Sequence, residues 1–151
     1  MSTSFDVLMV GIGGQGIILA SNILGEACLA EGRSVKGAET HGMAQRGGSV
    51  EGHIRIDGKL GPLIPPGSAR VIIAFDMLEA LRYAHFLAPG GMIVSNSHFV
   101  IPTSVYMQGV PVPDEKSLRE RLSAWSLCLV DADGIAAEAG SILSQNVVMI
   151  G

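Results

Sequence analysis

Cysteine is scarce in this chain of 151 residues: Cys28 and Cys128 stand alone, without a C-x-x-C spacing. Neither an iron–sulfur cluster nor a zinc knuckle can be assembled from this chain by itself, and both thiols read as reduced packing residues. Charge is sparse as well. Ten Lys and Arg against fourteen Asp and Glu leave a net charge of −4, so the basic field expected of a nucleic-acid binder is missing. No apolar run approaches the roughly 20 residues that span a bilayer. The opening Met1-Ser-Thr-Ser-Phe-Asp6 has neither the basic start nor the apolar stretch of a secretion signal. These absences point away from nucleic acid and membrane and towards a cytoplasmic chain.

What remains is apolar. A hydrophobic share of 48% and a mean hydropathy of +0.41 suit one domain with a sizeable core, and they exceed what an ordinary soluble surface requires. A sheet covered on both faces would absorb part of the excess, and a face packed on a partner subunit, or self-association, would absorb the rest.

The organising stretch is Asp6 to Ala20, where a short apolar run breaks into Gly11-Ile-Gly13-Gly14-Gln15-Gly16 and resumes at helical spacing. It reads as strand, tight turn and helix. Gly11 is expected to take a positive φ, Gly13 to admit a ligand or another backbone, and Gly16 to let the helix sit close to the strand. The first N–H groups of that helix would form an anion site, although the same glycines could serve turn and packing geometry alone.

Further along, the pattern predicts a helix over 17–30 with Ser21, Asn22 and Glu26 on its polar side. A second strand over 33–38 would run parallel to the first in a right-handed β-α-β unit. Residues 49–56 alternate, with Val50, Gly52, Ile54 and Ile56 on one face and Ser49, Glu51, His53 and Arg55 on a wet or interfacial one. Asp57-Gly58 signals a hairpin turn into a short return strand at Lys59-Leu60, so an antiparallel hairpin excursion is expected around 49–61. Strand and helix patterns then alternate: a strand over 69–75, a helix capped by Asp76, a Pro89-Gly-Gly91 turn, a strand over 92–95, a helix capped by Asp114, a strand over 125–130 and a helix over 134–144. The fold class is α/β, Rossmann-like, with a mostly parallel sheet and helices on both faces. The chain forms a single domain over 1–151. Asn146 to Gly151 looks like the opening of another apolar element, as though the domain were cut short.

Two glycine-rich segments taken together, Gly11-Ile-Gly-Gly-Gln-Gly16 and Glu39-Thr-His-Gly-Met-Ala-Gln-Arg-Gly-Gly48, resemble the gamma-type subunit of the thiamine-dependent 2-oxoacid:ferredoxin oxidoreductases. Within that group the likeness is greatest to the indolepyruvate oxidoreductase beta subunit. It extends over essentially the whole chain, including Ala80-Leu-Arg-Tyr83 and Leu87-Ala-Pro-Gly-Gly91. The resemblance implies a subunit, inactive alone, of an enzyme that oxidatively decarboxylates an aryl 2-oxoacid to an acyl-coenzyme A and passes electrons to ferredoxin. This sequence has no Gly-Asp-Gly with a following Asn to hold thiamine diphosphate through a divalent metal. Thiamine diphosphate, that metal and the iron–sulfur clusters are therefore expected on a larger partner subunit, with coenzyme A at the shared interface and no cofactor held by this chain alone.

The candidate binding residues are Gly11, Gly13, Gly14, Gln15, Gly16, His41, Gln45, Arg46 and Gly47, with no catalytic or metal-ligating residue. Arg46 can grip a carboxylate or phosphate with its planar fork while neighbouring glycines offer N–H groups, or it can pair with the partner or with Glu39. His41 can carry a proton or serve as a cap or contact residue. Gln15 and Gln45 can donate to a ligand or tie one loop to the other. His53, Arg55, His85 and His98 read as solvated or interfacial, and Asp131 and Asp133 as caps. Two other function classes are compatible with the glycines: a free-standing Rossmann-type nucleotide-binding oxidoreductase, in which Glu39 would close the second strand and hold a ribose, and a purely structural scaffold.

Overall fold

The computed structural model describes residues 4–41, 48–101, 107–109 and 111–151. Six strands form one sheet: β1 (Phe5–Ile12), β2 (Val35–His41), β3 (Ser49–Ile56), β4 (Ala69–Ala74), β5 (Leu87–Asn96) and β6 (Leu127–Val130), in the order β2-β3-β1-β4-β5-β6. The helices that lie wholly within the described residues are α1 (Ile17–Ala30), α2 (Met77–Tyr83), α3 (Glu115–Leu122), α4 (Ala132–Glu138) and α5 (Gln145–Ile150). β1, β4, β5 and β6 pair in parallel, whereas β3 runs antiparallel to both of its neighbours. The Rossmann-like α/β architecture is thus present.

Strand β1 shows why the sheet has a layer on each side. Its side chains alternate, sending Leu8 and Val10 into a cluster with Ile72, Met77, Ile93, Leu118 and Leu122 under α2 and α3. Val7 and Met9 enter a second cluster with Ile17, Ala20, Phe75 and Met149 under α1, α4 and α5. Leu8, Met9 and Val10 are wholly buried.

Two local expectations need correction. The second strand was expected beside the first, but β3 lies between them: Ile54 faces Val7 on one side and Gly37 on the other. β2 still points the same way as β1, because two antiparallel steps restore the direction. The antiparallel excursion is carried by β3 itself, and no return strand forms at Lys59-Leu60. That segment instead crosses the polar face of β3 and is held there by side chains. Lys36 Nζ donates to the carbonyls of Lys59 and Leu60, Arg55 Nη1 donates to the Gly61 carbonyl at 3.0 Å, and His53 Nδ1 accepts from the Ile64 N–H at 3.1 Å. Ile64 is 2% exposed and plugs the core. With its backbone groups bonded to side chains, the segment has no need of a strand ladder, which Pro62, Pro65 and Pro66 would interrupt in any case.

The same covering buries His53 and Arg55 on the face expected to be wet or interfacial. Arg55 pairs with Asp6 through Nε–Oδ1 at 3.1 Å and Nη2–Oδ2 at 3.0 Å, and both residues are buried. Other boundaries shift modestly. Pro89-Gly-Gly91 lies within β5, at its register shift between Leu87 and Met92, and the helix expected over 134–144 is α4 followed by a break at Gly140 and a short 3-10 turn at Ile142–Ser144. Asp76, Asp114 and Asp131 cap α2, α3 and α4 as the sequence suggests.

Removing Arg55 would strand Asp6 in the interior. Arg55→Ala is expected to lower the unfolding free energy by about 3–5 kcal/mol, the usual penalty for breaking one side of a buried pair. Urea unfolding is the measurement, and a loss below about 1 kcal/mol would show that the pair is not holding the loop.

Candidate functional site

The glycine turn sits at the carboxyl edge of β1, and its glycines divide the work differently from the expectation. Gly11 lies inside β1, and its φ is not positive. A Cβ there would meet Gln15 Oε1, Ile17 Cδ1 and Phe75 Cβ within 3.0 Å, so Gly11 is the position where strand, turn and helix pack closely. The left-handed backbone belongs to Gly14, with φ 100°, and Gly16, with φ 78°. At Gly16 an added Cβ would strike the Asn146 amide of α5; at Gly14 it would meet nothing within 4 Å.

Gln15 is committed to the protein. Its Oε1 accepts from the Ile12 N–H at 2.8 Å, and its Nε2 donates to the Phe75 carbonyl at 3.4 Å. It ties the turn to the ends of β1 and β4. Gly16 is the N-cap of α1, and among the described residues no side chain caps that helix, so its first-turn N–H donors have no side-chain partner among them. In front of them lies a cleft of about 340 Å³ lined by Ile12, Gly13, Gly14, Gly16, Ile17, Ile18 and Val50. Open backbone at Gly14 and the positive end of a helix dipole suit this cleft to an anion. The volume is at the lower end of small-molecule sites, enough for one charged end of a larger ligand.

Both flanks of the second glycine-rich segment reach the same edge. His41 ends β2 opposite Val50, and the Gly48 carbonyl accepts the Gly13 N–H at 2.9 Å. Gln45, Arg46 and Gly47 lie outside the described residues. Glu39 is a strand further from β1 than a ribose-binding acid should be, roughly 10 Å across two strand spacings. It lines a separate groove of about 810 Å³ between α1 and β2, together with Ser21, Asn22 and Glu26. The topology therefore argues against the dinucleotide arrangement.

Helix α1 was expected to bury its apolar residues and expose Ser21. Instead Ser21 is buried, with its hydroxyl against Met9 Sδ, where Gly52 of β3 leaves room for the helix. Ile18, Leu19, Ile23 and Leu29 are exposed, Leu19 to 55%. The helix is apolar around most of its circumference, as befits one that meets the sheet on one side and another surface on the other.

Sequence reasoning missed a buried acidic cluster under α2. Glu79 is 1% exposed, and burial raises its carboxyl above the usual range. Asp76, wholly buried, is also raised by burial although the N–H groups of Val100, Glu79 and Leu78 pull the other way. Glu51 accepts from Tyr83 Oη at 2.9 Å and lies 3.1 Å from His53 Nε2. Since His53 Nδ1 accepts from Ile64, Nε2 carries the proton and donates to Glu51. The only signal in the sequence was a pair of acids, Asp76 at the N-cap and Glu79 in the first turn of a helix after a buried strand, which reads equally as capping. Among the described residues no group of three or more His, Cys, Asp or Glu could hold a metal ion, and no helix is long and apolar enough to cross a membrane.

A family model for pyruvate ferredoxin/flavodoxin oxidoreductases matches residues 6–151. The chain is 43% identical over 148 residues to the indolepyruvate oxidoreductase subunit IorB of Archaeoglobus fulgidus, covering 97% of this chain and 74% of that protein. It is 30% identical over 149 residues to the common gamma subunit of the pyruvate/ketoisovalerate oxidoreductases of Thermococcus kodakarensis, covering 93% of this chain and 71% of that protein. Among solved structures, the pyruvate oxidoreductase subunit PORC of Thermotoga maritima shares the fold, with a TM-score of 0.71 at 23% identity, over 99% of this chain and 74% of that one.

Two titrations check the acidic cluster. Burial first, then donation to Glu51, pushes the Tyr83 phenol up to about 12. Ultraviolet difference titration should show a phenolate forming near that pH, and Tyr83→Phe should abolish it. For Glu79 the folded value lies above the unfolded one, so its contribution to stability is complete below the ordinary carboxylate value of 4.5 and is lost as pH rises through the folded value. Glu79→Gln keeps an acceptor for Arg82 without titrating. Its unfolding free energy relative to wild type is expected to improve as pH rises above 4.5, and parallel curves would contradict the upward shift.

Proposed function

Because the chain belongs to the pyruvate ferredoxin/flavodoxin oxidoreductase family, we propose that it is the small subunit of an indolepyruvate:ferredoxin oxidoreductase. The assembled cytoplasmic enzyme converts an aryl 2-oxoacid to its acyl-coenzyme A with ferredoxin as electron acceptor. The observation that carries this reading is the 43% identity to an indolepyruvate oxidoreductase subunit along nearly the whole chain, against 30% to the pyruvate/ketoisovalerate type. A larger partner subunit holds thiamine diphosphate with its divalent metal and the iron–sulfur clusters. The thiamine ring supplies the carbon nucleophile and electron sink for decarboxylation, and the clusters carry the electrons away.

This chain contributes surface and an anion site. The exposed side chains of Ile18, Leu19, Ile23 and Leu29 on α1 suit contact with that partner. Next to them, the first-turn N–H groups of α1 and the open backbone of Gly14, between Gly13 and Gly16, receive an anionic end of coenzyme A or the substrate carboxylate. The cleft takes only part of such a ligand, so the partner completes it. Gly11 and Gln15 support the turn from behind. Arg46 supplies the bidentate charge, with His41, Gln45 and Gly47 on the same segment.

Kinetics of the assembled enzyme test this. The chain alone is expected to be silent, and the complex with its larger subunit to reduce ferredoxin with indolepyruvate and coenzyme A. A complex that prefers pyruvate would overturn the substrate assignment. Arg46→Ala should raise KM for coenzyme A or the oxoacid roughly 10- to 150-fold, for a charge-assisted contact of about 1.5–3 kcal/mol. Arg46→Lys should recover part of it. Unchanged values for both substrates would remove Arg46 from the ligand site.

A further inference from the structure

A chain of contacts runs from α2 into the glycine turn. Glu79 Oε1 accepts from Arg82 Nη1 at 2.9 Å, and the same nitrogen donates to Ser49 Oγ at 2.9 Å. Ser49 opens β3 directly opposite Ile12, the last residue of β1. It follows Gly48, whose carbonyl accepts the Gly13 N–H at 2.9 Å. Glu79 Oε2, by contrast, has no hydrogen-bond partner among the described residues.

Stability alone does not account for this carboxylate. An apolar residue at position 79 would fill the same space without desolvating a charge, and buried ion pairs give little net stability against such a replacement. The Arg82 side chain is 54% exposed and flexible, and on its own it would sample many rotamers in water. A fixed, buried acceptor gives it one direction. That direction leads to Ser49, the residue that returns the chain from the second glycine-rich segment to the sheet.

We propose that Arg82, aimed by Glu79, is a positioning residue for the anion site: it clamps the start of β3 and so holds the Gly48 carbonyl under the Gly13 N–H. The consequence for binding rests on the function proposed above, while the clamp itself does not. Gly13 N–H is spent on Gly48, which fixes the peptide plane of the turn and aims the neighbouring N–H groups at the cleft. A donor array held within a fraction of an ångström keeps its affinity, and one free to rotate does not.

Hydrogen exchange on the complex with the larger subunit, read by mass spectrometry on peptides spanning Gly11 to Gly16, tests the clamp without ligand or turnover. Arg82→Ala should speed exchange in this peptide about tenfold while leaving the peptides of β4 and β5 near wild type. Arg82→Lys should restore part of the protection. Glu79→Gln, which keeps the acceptor, should stay close to wild type, and Glu79→Ala should reproduce Arg82→Ala. With the anion site as proposed, Arg82→Ala should also raise KM for coenzyme A about tenfold with kcat changed less than about twofold. Faster exchange in the turn with unchanged Michaelis constants supports the clamp and counts against the ligand role of the turn. Wild-type exchange in the turn of a folded Arg82→Ala complex would overturn the proposal, as would a uniform rise across the sheet, which would make Arg82 a general stability residue.

Discussion

The structure depends on burying the polar face of β3. A strand that presents Ser49, Glu51, His53 and Arg55 on one side can lie under a covering only if the buried His53 and Arg55 and the half-buried Glu51 find partners. Arg55 finds Asp6 and two carbonyls of the following loop, His53 finds Glu51 and the Ile64 N–H, and Glu51 finds Tyr83. Those partners in turn dictate the neighbourhood. The loop over 57–66 must lie flat on β3, Ile64 is carried into the core, and α2 must bring Tyr83 and Arg82 to the strand. The alternating face that would normally meet solvent becomes the adhesive between the sheet and its covering.

Inserting β3 between β1 and β2 also decides what the glycine turn can bind. In a dinucleotide site the acid that grips the ribose ends a strand adjacent to the glycines. Here that place is taken by β3, and Glu39 is displaced outwards to a groove beside α1. The turn keeps its helix N-terminus and its open backbone, and the ends of the second glycine-rich segment are brought to it from β2 and β3. The arrangement favours an anionic group at the sheet edge over a dinucleotide laid across it. The chain belongs to an oxidoreductase family, and the relatives it matches are named as subunits, which suits the proposal that this site is completed from outside the chain.

The apolar surplus in the composition has a visible destination. Both faces of β1 are covered, which accounts for the strands, but α1 carries more apolar side chains than the sheet can take. Gly52 admits the helix so closely that Ser21 and Ile17 lie against it, Ala20 is wholly buried, and the longer Ile18, Leu19, Ile23 and Leu29 are turned outwards. A helix that packs through its small residues leaves its large ones for a second surface.

The order of strands and helices was legible in the sequence, because buried parallel strands read as short apolar runs and because Asp76, Asp114 and Asp131 mark helix starts through a local hydrogen bond. The turn was legible too, since clustered glycines between an apolar run and a helical pattern mark where the chain can bend tightly. The resemblance carried by the two glycine-rich segments likewise identified the family. Which glycine does what was settled only in three dimensions: at Gly11 the local Gln15 and Ile17 are joined by Phe75, sixty-four residues away in the chain, and the crowding at Gly16 comes from Asn146. The place of β3, the burial of Arg55 and His53, and the Glu79–Arg82–Ser49 contacts were equally invisible beforehand. A sequence pattern records whether a side chain is polar and how often polarity recurs, both properties of neighbours along the chain. Whether a polar face meets water or a covering loop depends on partners distant in sequence, and those are fixed only when the sheet closes.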